Sequence, residues 1–187
     1  MSSGLEQLRR QALSDPETPE PVRRALAGGA TLEEIRLDAR GRWWHQGEPF
    51  VNERLARLFS QSLVQTEAGL WLLQIGGQSY PVEVEETGAF CERFDVGADG
   101  VTLWLTSGEE VAVGKSGWMT DGENRIGIRL SDGRDVRLIG QAHQAALALA
   151  VELEAGWALS FPLGEAPLAA WPARPSGLRP PSAAAQG

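Results

Sequence analysis

Two histidines, one cysteine and a few hairpin carboxylates are the groups in this chain whose chemistry could amount to a reaction. Asp38, His45 and Glu48 flank a single hairpin and are of the types that hold a divalent cation or pass a proton. Two carboxylates and one imidazole at this spacing nevertheless match no recognised ligand set. Glu83, Glu85 and Glu86 also lie close together. In a strand, Glu83 and Glu85 alternate with Val82 and Val84, which is the ordinary signature of one solvated face. For catalysis His45 and His143 would each need a nucleophile or an orienting carboxylate beside them, and spacing alone supplies neither. Cys91 has no His or Cys-x-x-Cys neighbour and reads as a small core hydrophobe. Gly97-Ala98-Asp99-Gly100 lacks the helix and lysine of a phosphate loop, so it reads as a hairpin turn. No metal or cofactor is implied.

The tryptophans are the less ordinary feature: seven, against a single tyrosine, Tyr80. An indole combines a large apolar body with an N–H that needs a partner, so it favours cores, pockets and interfaces. Trp43, Trp71, Trp104 and Trp157 sit inside strand patterns and are expected in the core. Trp44, Trp118 and Trp171 are the expected contacts to a ligand or partner. With Arg36, His45 and Glu48 beside the first hairpin, the candidate binding residues are Trp44, Arg36, His45, Glu48 and Trp118.

The elements that would position these residues are legible in the spacing. Gly4 to Leu13 predicts a helix, broken by Asp15-Pro16-Glu17-Thr18-Pro19-Glu20-Pro21. A second helix runs from Val22 to Ala27 and stops at Gly28-Gly29. Ile35-Arg36-Leu37-Asp38 alternates, turns through Ala39-Arg40-Gly41 and returns as Arg42-Trp43-Trp44-His45. A three-residue loop sets Asp38 against Arg42, Leu37 against Trp43 and Arg36 against Trp44. Asn52 then caps a helix bearing Leu55, Leu58, Phe59 and Leu63 at helical spacing. Strands are predicted at 70–74, 78–84, 89–96, 101–106, 110–113, 126–130 and 136–138. A helix follows from Ala142 to Glu154, and a last strand from Trp157 to Leu163.

The stretch from Ile35 to Ile75 echoes the one from Ile126 to Leu163, each reading hairpin, helix, Trp-bearing strand. The expected architecture is therefore α+β, with two repeated β-hairpin–helix–strand units and mainly antiparallel sheets. Residues 1–30 form a helical arm, 31–96 the first unit and 97–165 the second. Residues 166–187, rich in Pro, Ala, Gly and Ser, form a disordered tail.

Charge and composition narrow the function classes. Lys and Arg number 17 against 25 Asp and Glu, a formal charge of −8, which disfavours a phosphate backbone as partner. The N-terminal residues lack the apolar core of a signal peptide, and the longest apolar-rich stretch, Ala145 to Val151, is too short for a bilayer. With one cysteine and therefore no internal disulfide, the expectation is a cytoplasmic protein without nucleic-acid or membrane partners.

The run from Ile35 to Phe90 resembles a bacterial family known as domain of unknown function 1285. The residues that carry the resemblance are Ile35-Arg-Leu-Asp-Ala-Arg-Gly-Arg-Trp43, Gly47-Glu48-Pro49, Leu55-Ala-Arg-Leu-Phe59-Ser60, and Val82-Glu-Val-Glu85-Glu86 with Phe90. The resemblance implies a mixed α and β fold with repeated hairpin–helix motifs, and ligand sensing or signalling rather than catalysis. Two stretches depart from the family pattern. Gln74-Ile75-Gly76-Gly77-Gln78 stands where the family tends to have Thr-Pro-x-Glu-Lys, and Glu86-Thr87-Gly88-Ala89-Phe90 where it tends to have Asp-Ala-Pro-Phe. A ligand held by that Glu-Lys pair would be lost or changed here. The expected function is a non-catalytic module that binds a small molecule or protein between its two halves. The alternative is a hydrolase-like enzyme with a dispersed site at His45, Asp38 and Glu48.

Overall fold

Short alternating runs separated by glycine-containing turns dictate a strand-rich chain. The computed structural model describes residues 3–98 and 100–172, and these fall into two units, 3–88 and 89–172. The boundary lies at Gly88, earlier than the 96/97 division expected from the turn pattern, because the hairpin that begins at Ala89 belongs to the second sheet.

The first unit opens with helices α1 (Ser3–Ser14) and α2 (Glu20–Ala27). The expected arm is instead part of a core: Leu8, Ala12 and Leu26 pack with Leu70 and Leu72. The physical reason is a polar tie as well as an apolar one. Thr66 Oγ1 donates to buried Asp15 Oδ2 at 2.6 Å and accepts from Leu70 N at 2.9 Å, so the end of α1 is fixed to a later turn. Strands β1 (Ile35–Leu37), β2 (Trp43–His45) and β3 (Glu48–Pro49) are followed by α3 (Glu53–Ser62). A meander then follows: β4 (Leu63–Gln65), β5 (Trp71–Ile75) and β6 (Gln78–Pro81). β7 (Glu83–Val84) returns to pair parallel with β1, giving a sheet of order β3-β2-β1-β7 beside the sheet β4-β5-β6.

The first hairpin has the register expected of it: Leu37 faces Trp43 and Arg36 faces Trp44. Alternation then buries Trp43, whose Nε1 donates to Ser60 Oγ at 3.0 Å while its ring meets Phe59 edge-on at 5.3 Å. Asn52 caps α3, its side chain accepting from Arg54 N and Leu55 N at 3.1 Å. The apolar stripe of α3 is only partly covered, however. Phe59 packs inward, but Leu55 and Leu58 are 38% and 42% exposed.

The second unit contains β8 (Ala89–Val96), β9 (Val101–Leu105), β10 (Glu110–Val113), β11 (Trp118–Thr120), β12 (Ile126–Arg129) and β13 (Asp135–Leu138). Then come α4 (Gly140–Ala148), β14 (Ala150–Leu153), β15 (Gly156–Phe161), β16 (Gly164–Pro167) and β17 (Ala169–Ala170). A seven-stranded sheet runs β10-β9-β8-β13-β12-β11-β17, and β14-β15-β16 form a separate meander. The core gathers Cys91, Phe94, Leu103, Leu105, Trp118, Ile126, Ile128, Val136, Leu138, Leu159 and Phe161. Burial raises the Cys91 thiol to about 11, as suits a core residue.

The structure departs from the sequence pattern at four places in this unit. Trp118, expected at a ligand or partner surface, is fully buried, with its Nε1 donating to Gly114 O at 3.0 Å, so it supports the core. Trp157, expected in the core, is 51% exposed although Leu159 and Phe161 on the same strand face are buried. The helix expected to run to Glu154 ends at Ala148, since residues 150–153 pair with β15 and the ladder overrides Ala and Leu propensity. Residues 166–172, expected to belong to a disordered tail, do not: β16 and β17 are ordered elements and Ala166 is buried. The remainder of that expected tail, residues 173–187, lies outside the described residues.

Both units run hairpin, helix and three-stranded meander in the same order (β1–β2, α3, β4–β6 and β12–β13, α4, β14–β16). The two hairpins belong to differently built sheets, of four and seven strands. No helix among the described residues is long and apolar enough to cross a membrane.

Candidate functional site

The hairpin between β1 and β2 is built around one carboxylate. Asp38 Oδ1 accepts from the backbone of Arg40 and Arg42 at 2.9 Å, and Oδ2 accepts from Arg42 Nε at 3.0 Å and Trp44 Nε1 at 2.9 Å. Gly41 takes the left-handed φ of 76° that closes such a loop. The same device recurs between β11 and β12. There Asp121 binds the backbone of Glu123 and Arg125 and the Arg125 guanidinium, with Asn124 at φ 59°. Burial works to raise the pKa of Asp38. The backbone N–H of Arg42, the Trp44 indole, the Arg40 N–H and the Arg42 guanidinium outweigh it, leaving the carboxyl below its ordinary value.

Trp44 lies between two guanidinium groups, Arg36 at 5.2 Å and Arg42 at 5.3 Å from the ring centroid. Glu85 holds Arg36 by an ion pair and accepts from Ala39 N at 2.9 Å, which fastens β7 to the hairpin loop. The structure therefore brings Trp44 and Arg36 together, in an arrangement whose polar groups serve one another. Glu85 has a structural partner, and the acidic strand is more than a solvated face at that position.

His45 and Glu48 pair across β2 and β3 and are exposed. The carboxylate that meets the imidazole is a different one: Glu33 Oε2 lies 3.2 Å from His45 Nε2 and accepts from Gln46 Nε2 at 3.3 Å. These two contacts, that of His45 foremost, hold the Glu33 carboxyl below its ordinary range. No group of three or more His, Cys, Asp or Glu among the described residues is arranged to hold a metal.

Glu33 also forms part of a cleft that no sequence pattern announced. Pro19, Pro21, Val22 and Ala25 of the α2 segment supply one wall, residues 30–33 the floor, and the β5–β6 turn with Tyr80 the other wall. The cavity measures about 610 Å³ and is mostly apolar, within the range of small-molecule sites. Its walls are held from outside. Arg9 of α1 donates to Leu26 O and, at 2.9 Å, to Ala30 O, which ties the end of α2 to the segment that follows. Tyr80 is partly exposed and its hydroxyl donates to Gln78 Oε1 at the cleft wall. The signal that could have found this site was faint: a proline-flanked helix, one Tyr and one Glu drawn from three separate stretches of chain.

No family model matches the sequence, and no curated protein matches it either. Among solved structures, the chain is similar to a DUF1285 family protein from Silicibacter pomeroyi DSS-3, crystallised at 2.50 Å resolution. That likeness covers 74% of this chain and 80% of the other, at 17% identity and a TM-score of 0.58. The chain has the DUF1285 fold. A second DUF1285 family protein, from Shewanella baltica OS155, is similar over 62% of this chain and 91% of its own, at 16% identity and a TM-score of 0.47. What passes across at such identity is architecture. The DUF1285 fold agrees with the resemblance carried by residues 35–90.

Proposed function

We propose that this chain is a non-catalytic binding module whose ligand is a small molecule with an apolar body and one donor-bearing or cationic end. The observation that carries this reading is the cleft of about 610 Å³ beside α2, with apolar walls and an exposed carboxylate, Glu33, among its lining residues. An apolar body would displace water from Pro19, Val22, Leu32 and Tyr80, and the donor end would meet Glu33. Glu33 suits that role because His45 and Gln46 orient it and favour its ionised form. A sensing or signalling module fits this chemistry. The single buried thiol, Cys91, supports a cytoplasmic setting. The hydrolase-like grouping of Asp38, His45 and Glu48 is not carried forward, since Asp38 is committed to Arg42 and Trp44.

A thermal-shift screen of metabolites against the wild-type chain and Ala25→Trp tests the reading. Ala25 lies on the exposed side of α2 and lines the cleft, so an indole there fills the cavity without entering the core. Ligands are expected to raise the melting temperature of the wild type and not of the variant. Equal shifts in both would move the site elsewhere.

A further inference from the structure

The outer end of the seven-stranded sheet is closed by a strap. β17 pairs parallel with β11 over only two residues, Met119 with Ala169 and Thr120 with Ala170, and Trp171 N donates to Thr120 O at 2.8 Å. Beyond that ladder, Trp171 lies in a slot cut into the sheet. Gly127 makes the slot, because a Cβ at that position would come within 2.1 Å of the indole and 2.6 Å of Val136 O. Arg137 forms its wall, a buried guanidinium 3.8 Å from the ring centroid that also donates to Arg125 O at 3.2 Å and lies 3.4 Å from Asp121 Oδ2.

The occupant fits this slot imperfectly. Its ring is well held, but the Trp171 Nε1 is buried with no hydrogen-bond partner among the described residues. A buried donor left unpaired costs about 1–3 kcal/mol. A short parallel ladder is also a weak form of strand pairing. Without the strap, β11 would be an open edge, and open edges recruit extended segments.

We propose that the β11 edge with its Gly127–Arg137 slot is an acceptor site for an extended peptide bearing a phenylalanine, and that residues 168–172 are its exchangeable resident. A phenyl ring would keep the stacking on Arg137 and bury no N–H. Alternate backbone groups of the peptide would take over the bonds that β17 makes to β11.

The test uses the full chain, wild type and Trp171→Ala, and a fluorescein-labelled peptide with the sequence of residues 166–172 carrying Trp171→Phe. Fluorescence polarisation is expected to show at least tenfold tighter binding to the Trp171→Ala chain, whose resident strap has lost the ring that anchors it, than to the wild type. A peptide carrying Trp171→Ala is expected to bind neither. Equal affinity for both chains, or binding indifferent to the ring, overturns the proposal. Should the Trp171→Ala chain lose its native circular dichroism, the wild type labelled with 5-fluorotryptophan decides. The Trp171 fluorine resonance, identified by its absence in Trp171→Phe, is expected to move to an exposed position as the Phe peptide is added. A resonance unmoved by millimolar peptide overturns the proposal.

Discussion

Trp43 and Trp44 are neighbours in sequence with opposite surroundings, one beneath Phe59 and Ser60, the other between two arginines. Trp43→Ala should therefore cost about 3–5 kcal/mol, as large-to-small core changes do. Trp44→Ala forfeits two cation–π contacts and one hydrogen bond, about 2–3 kcal/mol. Urea denaturation of both variants checks the order, and equal losses would contradict the environments described. Asp38 gives a pH signature. Its folded pKa is depressed, so its stabilising contribution is present above its unfolded value and lost as pH falls through the folded one. Asp38→Asn should thus be less stable than wild type at pH 7. The gap should narrow below about pH 4, where an ordinary aspartate protonates. A gap of constant size between pH 7 and pH 3 would mean that the carboxylate charge is not what holds the hairpin.

At the scale of elements, what could be read from sequence followed locality. The register of β1 and β2 was legible because loop length and alternation fix it within eleven residues, Ile35 to His45. The start of α3 was legible from Asn52, and Asn52→Ala should cost about 1 kcal/mol in a denaturant titration, without altering the fold. Trp118 was misplaced because Gly114 to Asn124 carries no periodicity, and only its pairing with Ile128 across β11 and β12 puts it in the core. The end of α4 was missed for a related reason. Ala146 to Ala150 has helical propensity throughout, and the competing ladder to β15 comes from residues further along the chain. The strap was missed because its composition is that of a disordered segment. Its order depends on one ring finding the space above Gly127.

At the scale of the whole molecule, truncation after Glu165 removes Ala166 from the core, β17 from the sheet and Trp171 from its slot. The melting temperature of the truncated chain should fall by several degrees, and an unchanged value would mean that the strap contributes nothing to the second unit. The fold class was legible because many short local patterns agreed with one another. The cleft was not, because it exists only where residues 19–26, 30–33 and 77–81 meet, and no one of those stretches carries a binding signature. The central claim is that this cleft holds the ligand. Amide chemical-shift mapping tests it most directly, by titrating the full chain with the compound that gives the largest thermal shift. Perturbations are expected to concentrate on Ala25, Ala30 to Glu33 and Gln78 to Tyr80, and to be lost in Ala25→Trp. Perturbations centred on the Trp44 hairpin or on the second unit, with the cleft amides unmoved, would contradict it.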